Sequence, residues 1–410
     1  MTATVDTPLR PRPKLSQAEF IALTGMLFAS VAFSIDAMLP ALPEITRELT
    51  PDAPNRAQLI IAAFVLGMGL GTFVTGPLSD SFGRKPVILG GAALYISGAL
   101  IAWSGPSLEA VLLGRVLQGL GAAGPRVVAL AIVRDLYEGR QMARIVSFAM
   151  MIFTLFPAVA PLIGSAIIAG FGWRAIFLAF FAFSLVSVGW LTLRQEETLP
   201  RPARRPFRIG ALISATVEVV THRIVFLSIV VQSFVFALLF ATIATVQPVF
   251  DITYGRNADF PWIFATIALV SALPSLINAA IVVRFGMRRL IRGALLSQVI
   301  FAALAWALLS SEVLGPAAGF PVYVAWIVTI FGMVGFVIGN LNALAMQPMG
   351  HIAGTAASVM GAIATLAGGA LGAGLGQAFD GTAAPQALGA LVFSALALGI
   401  FRLVPDAEGR

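Results

Sequence analysis

Cysteine is absent from this 410-residue sequence, which excludes disulfides, thiol catalysis and thiolate metal sites. Histidine is nearly absent: His222 and His351 lie far apart and form no H-E-x-x-H pattern, so no metal centre is expected. Charge is scarce too. Only 11% of residues are charged, under half of the roughly 25% usual in soluble domains, and a fold so poor in charge cannot cover its own surface with water-compatible groups. No G-x-S-x-G or Walker A pattern occurs. The Gly-rich run Gly67-Met68-Gly69-Leu70-Gly71 and the ladder Gly368, Gly372, Gly376 lie inside apolar stretches, where small residues let helices approach, so neither is a nucleotide fingerprint.

What the chain has in quantity is apolar sequence. Hydrophobic residues make up 59%, and the mean hydropathy is +0.93. A spanning helix needs roughly 20 mostly apolar residues. Candidate spans fall at 19–42, 57–78, 86–103, 107–133, 145–169, 174–194, 224–250, 261–283, 290–310, 321–345, 354–378 and 386–404. The expected fold is an all-α polytopic membrane protein with twelve transmembrane helices. The first span is too long for a signal-peptide core and no small-residue cleavage site interrupts it, so it is read as retained.

The net charge of +7 does not signal nucleic acid, because the basic residues sit in short runs between spans. With twelve spans both termini share a side. The tails and the loops after spans 2, 4, 6, 8 and 10 carry twenty Lys and Arg, whereas the opposite loops carry only Arg47, Arg56, Arg174 and Arg256. The positive-inside rule puts both termini in the cytoplasm.

The longest internal polar stretch, 195–222, holds Pro200, Pro202, Pro206 and four arginines. It divides the chain into a cytoplasmic tail (1–18), an N-terminal six-helix bundle (19–194), a linker (195–222), a C-terminal six-helix bundle (223–404) and a second cytoplasmic tail (405–410). The apolar part of the linker, Ile209–Val220, is expected to lie as a helix on the membrane surface; the segment is read chiefly as a solvated connection, with an anionic lipid or a protein as the alternative partner. Phe82-Gly83-Arg84-Lys85-Pro86-Val87-Ile88 after span 2 returns as Phe285-Gly286-Met287-Arg288-Arg289-Leu290-Ile291 after span 8. A repeat at that spacing implies two pseudo-symmetric six-helix halves around a central site.

Ionisable groups in hydrocarbon cost about 2.5–3.5 kcal/mol at a helix centre on insertion scales, so the few present point to function. Three stand out: Asp36 in span 1, and Arg115 and Arg126 in span 4. At 1.5 Å per residue, Asp36 and Arg115 both lie roughly 7–9 Å to the outer side of the midplane. Arg126, eleven residues past Arg115, returns to about the same helix face, with Gln118 nearby. This polar stripe is expected to face an aqueous cavity. Low dielectric favours a neutral acid and a nearby guanidinium favours the carboxylate; a group held between those pulls can carry a proton, the role expected of Asp36 with Arg115 as its electrostatic partner. The structural alternative is an ion pair that only fixes two helices, and for Arg126 a side chain that snorkels to the interface. Gln232, Gln247, Asn340 and Asn342 are neutral cavity candidates, with Asn278 beside them; each could equally bridge helices.

These residues carry a resemblance. Gly76-Pro77-Leu78-Ser79-Asp80-Ser81-Phe82-Gly83-Arg84-Lys85-Pro86 resembles motif A of the major facilitator superfamily, G-x-L-x-D-R-x-G-R-K, with Ser81 in place of the middle basic residue. Gly114-Arg115-Val116-Leu117-Gln118-Gly119 is similar to motif B, and Ala160-Pro161-Leu162-Ile163-Gly164-Ser165 to a degenerate antiporter motif that keeps Pro161 and Gly164. Asp36-Ala37-Met38-Leu39-Pro40-Ala41-Leu42-Pro43 looks like the D-x-x-x-P-x-x-P of twelve-helix drug/proton antiporters, while Asn342-Ala343 and Ala353-Gly354-Thr355-Ala356 resemble the Bcr/CflA branch. The resemblance implies a proton-coupled efflux transporter rather than an enzyme, with a small-molecule substrate, protons and the lipid bilayer as partners. It implies no nucleic acid, no cofactor beyond the proton gradient, a monomer, and a place in the bacterial cytoplasmic membrane. It further implies a conformational latch of Gly76, Asp80, Gly83, Arg84, Lys85 and Asp135, one-sided because Val283 stands where the second copy would carry Asp80. A facilitator or symporter for a small nutrient is the alternative.

Overall fold

The computed structural model describes residues 14–311 and 314–405; Arg10, Arg12 and Arg410 of the expected tails lie outside the described residues. In hydrocarbon every backbone N–H and C=O must be satisfied within the protein, which leaves helices as the way for such a chain to cross. Among the described residues there are helices and no strands: α1 (Gln17–Asp36), α2 (Leu42–Leu49), α3 (Leu59–Phe82), α4 (Arg84–Ser104), α5 (Leu108–Leu136), α6 (Gly139–Phe171), α7 (Ala175–Arg194), α8 (Ile209–Thr221), α9 (Arg223–Pro248), α10 (Phe260–Phe285), α11 (Met287–Leu309), α12 (Pro316–Met346), α13 (Ala353–Gln377) and α14 (Ala384–Phe401).

The apolar helical stretches number eleven when counted as unbroken runs, and one of them, Pro316–Gln377, is 62 residues long. At 1.5 Å per residue that run would be about three times the hydrocarbon thickness. It is two crossings, α12 and α13, separated by a 3₁₀ stretch, Gln347–Ile352, in which Met349 leaves helical geometry (φ −104°, ψ 19°). The first crossing is α1 with α2, Gln17–Leu49. Twelve crossings result, and α8 is the short apolar helix of the linker.

Helix neighbours repeat between the halves. In the first, α1 packs on α6, α5 on α3 and α4, and α7 on α4 and α1; in the second, α9 packs on α13, α12 on α10 and α11, and α14 on α11 and α9. The halves meet through α3 with α13 and through α6 with α10, contacts that exchange under the same correspondence. The sequence repeat is explained by its glycines. Gly83 (φ 106°) and Gly286 (φ 80°) both adopt left-handed backbone, which turns α3 into α4 and α10 into α11 without intervening loop residues. The second residue after each glycine is a cation that ends a helix: Lys85 Nζ donates to Thr192 O in the last turn of α7 at 2.7 Å, and Arg288 donates to Val404 O, just past α14, at 3.0 Å.

At the end of the molecule remote from the linker the halves are joined by hydrogen bonds from side-chain amides. Asn55 Nδ2 donates to Gln377 O (3.0 Å) and Phe379 O (2.7 Å), and Gln377 Nε2 donates back to Asn55 O (2.7 Å). Toward the linker side, Ser358 Oγ of α13 donates to Thr72 O of α3 at 2.6 Å.

Candidate transport site

Asp36 ends α1 for a local reason. An unbroken helix would bring the N–H of residue 40 to the Asp36 carbonyl, but residue 40 is proline and has none. The chain passes through a 3₁₀ turn, Leu39–Ala41, and restarts as α2 with Pro43 in its first turn. The break also redirects the N–H of Met38, which bonds Ile35 O at 3.3 Å and leaves Ser34 O unclaimed by its own helix.

Arg115 of α5 takes that carbonyl. Its Nη2 donates to Ser34 O at 2.9 Å, Nε to Ile60 O of α3 at 3.2 Å, and Nη1 to Gln118 Oε1 at 3.1 Å. The guanidinium carbon lies 4.4 Å from the centre of the Phe64 ring, a cation–π contact strengthened by desolvation. Ser34 Oγ donates to Ser30 O at 2.6 Å and therefore accepts from Tyr95 OH, also at 2.6 Å. Arg115 and Gln118 are both fully enclosed (0% exposed), so neither faces the open cavity expected of them; the freed carbonyl of α1 and the carbonyl of Ile60 hold the arginine inside the bundle.

Asp36 itself is buried (5% exposed). It makes no ion pair and no side-chain hydrogen bond with the described residues, Arg115 included. The expected direct pairing is thus replaced by an indirect one: Arg115 grips the backbone two residues before the carboxylate. On the other side of the break, a Cβ built on Gly164 of α6 would fall 2.2 Å from Ala37 O. Gly164, followed from buried Pro161, lets α6 seat against the residue after Asp36. The same logic runs through α5, where Cβ atoms on Gly119, Gly121 and Gly114 would meet Phe64 O at 2.0 Å, Gly91 O at 2.3 Å and Gly98 O at 2.6 Å. Glycines bring the α5 backbone onto α3 and α4, and so carry Arg115 into reach of α1.

The other predicted residues scatter. Arg126 is half-buried, and its Nη1 has the Met68 sulfur at 3.7 Å as its one polar contact among the described residues. Gln232 is buried with Oε1 unpartnered. Asn340 bridges helices, donating to Asn278 Oδ1 of α10 and to Phe336 O, both at 2.8 Å. Asn342 is exposed. Gln247 lies at the far end of α9, bonded to Asn257 Oδ1 at 2.9 Å, where it lines a 220 Å³ cleft between the halves with Arg47, Gln58 and Asp251, well away from Arg126.

The motif A residues come together at the linker side. Arg84, 7% exposed, donates to Asp80 Oδ1 (2.5 Å), Asp135 Oδ2 (2.9 Å) and Ser79 Oγ (2.9 Å). Two linker residues that sequence reasoning missed complete the cluster. Glu197 accepts the N–H groups of Arg84 and Lys85, both at 3.0 Å, so it caps the N-terminus of α4, where a negative charge is favoured. Thr198 Oγ1 donates to Asp135 Oδ2 at 2.8 Å. The signal available was the absence of any N-cap side chain in the Gly83–Arg84 turn, which leaves the N–H groups of α4 to be met from elsewhere. Gly76 lies against α13: a Cβ there would have Ser358 Oγ at 3.7 Å. On the second half Val283 is 94% exposed and joins no such cluster.

Twelve crossings in two matching halves, counted among the described residues, define a multi-pass membrane protein with the architecture of a transporter. It belongs to the Major Facilitator Superfamily, whose family model matches residues 23–373. A bicyclomycin resistance protein homolog of Haemophilus influenzae is 29% identical over 368 residues, covering 90% of this chain and 91% of the relative. The multidrug resistance protein MdtL of Shewanella oneidensis is 30% identical over 339 residues, 80% of this chain and 81% of the relative. A chloramphenicol resistance protein of Pseudomonas aeruginosa is 33% identical over a shorter stretch, 42% of this chain and 41% of that protein. Among solved structures, a D-xylose–proton symporter superposes with a TM-score of 0.71 at 16% identity, covering 95% of this chain and 99% of that one, which shows the shared fold.

Proposed function

We propose that this transporter exports small, mainly apolar drug-like molecules in exchange for protons, by alternating access between its two halves. The names of the relatives, for bicyclomycin, chloramphenicol and multidrug resistance, support the cargo class. The observation that carries the coupling is Asp36: a buried carboxylate without a polar partner, fixed at a break in α1. An uncompensated charge in such surroundings is costly and a bound proton relieves it, so arrival of cargo or of water can exchange the proton. Arg115 acts as a positioning residue that sets the α1 break from the Ser34 side, as Gly164 does from the Ala37 side. Arg126 leaves a cation with only a thioether beside it, which favours neutral or anionic cargo. Asp80, Arg84, Lys85 and Asp135, with Gly76 and Gly83, bias the conformational equilibrium without touching cargo. Gln232 offers cargo a neutral acceptor, its unpartnered Oε1.

The linker side, with its fivefold excess of Lys and Arg, is the cytoplasmic face of a bacterial inner membrane. The amide clasp of Asn55 and Gln377 then closes the outer side. The working unit is a monomer, it moves its cargo unaltered, and the proton gradient is its sole driving partner.

The test uses everted vesicles from an efflux-deficient bacterium expressing the chain, with bicyclomycin and chloramphenicol as probes. Accumulation driven by an inside-acid gradient, with proton release when the probe is added, is expected, and Asp36→Asn reduces it to background. Uphill accumulation by Asp36→Asn would remove Asp36 from the coupling. Probe movement only down its own gradient would instead point to a facilitator.

A further inference from the structure

The segment between α7 and α8 contains Arg201, Arg204, Arg205 and Arg208, and no acidic residue from Thr198 to Val217. Arg204 is half-buried; its Nε donates to Leu199 O at 3.4 Å and its guanidinium lies against Gly83. The other three are exposed, and their side chains make no ion pair or hydrogen bond with the described residues. The segment that displays them is tied down. Glu197 holds the start of α4, and the N–H of Arg205 donates to Asp80 O at 3.0 Å.

The helix that follows presents two apolar faces. Leu212, Ala215 and Val219 are buried and pack α8 onto α9 and α13. About a third of a turn away, Ile209, Ile213 and Val217 follow the i, i+4, i+8 spacing and are 62%, 58% and 52% exposed. In a chain that crosses the bilayer twelve times, one phase next to α8 can cover that face without a further protein: the acyl boundary of the bilayer. Of the three uncompensated cations, Arg208 is the N-cap residue of α8, where the helix dipole adds positive potential, and Arg205 and Arg201 precede it in the chain.

We infer that α8 lies in the membrane interface with its Ile209–Ile213–Val217 face among the lipids, and that Arg201, Arg205 and Arg208 form a binding site for the phosphate of anionic phospholipids. Guanidinium groups suit phosphate oxygens by their fork geometry. A basic residue near an anionic surface contributes about a fivefold change in affinity. The inference requires only that the chain spans a membrane, and it stands whatever the cargo or its coupling.

The experiment places the purified full chain in phosphatidylcholine nanodiscs containing a rising fraction of phosphatidylglycerol and counts retained lipids by native mass spectrometry. Phosphatidylglycerol is expected to be retained preferentially. R201Q/R205Q/R208Q loses that preference by about fivefold for each arginine removed, while R201K/R205K/R208K keeps most of it. A wild type with no preference, or a glutamine variant as selective as wild type, overturns the inference. Trypsin cleavage after Arg208 in wild type gives a second readout that needs no variant: phosphatidylglycerol slows it and pure phosphatidylcholine does not. Equal cleavage in both lipids would count against the site. Protection by a short DNA duplex in phosphatidylcholine discs, matching that by phosphatidylglycerol, would identify a polyanion other than lipid and overturn it as well.

Discussion

The two halves share one helix plan and differ in what they bury. Arg115 and Tyr323 are each the eighth residue of corresponding helices, α5 and α12, and both are 0% exposed. In the first half that position holds a guanidinium bonded to two backbone carbonyls, beside a helix broken at a carboxylate. In the second it holds a phenol that donates to Gln386 Oε1 at 2.9 Å, and Gln386 Nε2 reaches Thr242 Oγ1 at 3.2 Å. Around Tyr323 the packing is aromatic, with the Phe250, Tyr254 and Trp326 rings centred 6.3, 5.9 and 6.0 Å away. At this position the first half therefore buries an ionisable group and the second a neutral, aromatic one, while glycines bring helix backbones together in both: a Cβ on Gly372 of α13 would fall 2.9 Å from Ala237 O of α9. Under the proposed coupling, the proton-linked chemistry sits in the first half alone.

The largest expected effect tests the glycine contacts. Gly119→Leu in α5 would drive a side chain into Phe64 O, and overpacking of about 1–3 kcal/mol or more is expected as a lower melting temperature in detergent and poor membrane yield. Gly339→Leu in α12, where nothing lies within 4 Å, should leave both near wild type. Equal losses from the two would break the link between close backbone approach at Gly119 and the placing of Arg115.

Next comes the pair at the eighth position. Arg115→Gln leaves the Ser34 and Ile60 carbonyls without their donor, at about 1–3 kcal/mol for each buried group left unserved. Arg115→Lys recovers little of it, because a single ammonium cannot span both carbonyls. Tyr323→Phe removes one neutral bond, worth about 1 kcal/mol. Thermal unfolding of the three variants in one detergent ranks them, and a Tyr323→Phe loss as large as that of Arg115→Gln would show the second half to be no passive partner.

The smallest effect concerns the latch. Asp135→Asn weakens the grip on Arg84 and on Thr198, so labelling of single cysteines placed along the linker-side ends of α5 and α12 should change about threefold to tenfold in rate, the equivalent of about 0.7–1.4 kcal/mol. Val283→Asp, which supplies the missing acid in the second half without a buried arginine to receive it, should leave labelling unchanged. A shift there would mean that the latch is not one-sided.

Much of this could be read from residue order alone. The paired Phe-Gly turns marked the repeat, and Arg115 stood out because hydrocarbon tolerates so few cations. The break at Asp36 could not be read that way, since the expected span 1 runs on to residue 42 and prolines such as Pro77, Pro125 and Pro161 stay inside unbroken helices. The partner of Arg115 was not legible. A guanidinium and a carboxylate at matching depth suggest an ion pair, yet the proline that ends α1 also frees a carbonyl, and that acceptor lies where α5 delivers the arginine. Gln247 was misplaced because a glutamine in an apolar run looks the same whether it ends in a cavity or at a rim. Glu197 and Thr198 were overlooked because nothing local ties a linker to a turn more than a hundred residues earlier.

Taken by itself, the order of apolar runs and glycines determined how many times the chain crosses and where its helices can approach closely, since these follow from local backbone chemistry and from the penalty on unpaired polar groups in lipid. Tertiary structure decided which acceptor each buried donor takes. That choice depends on distances between helices far apart in the chain, and a shift of an ångström or two exchanges a carboxylate for a carbonyl.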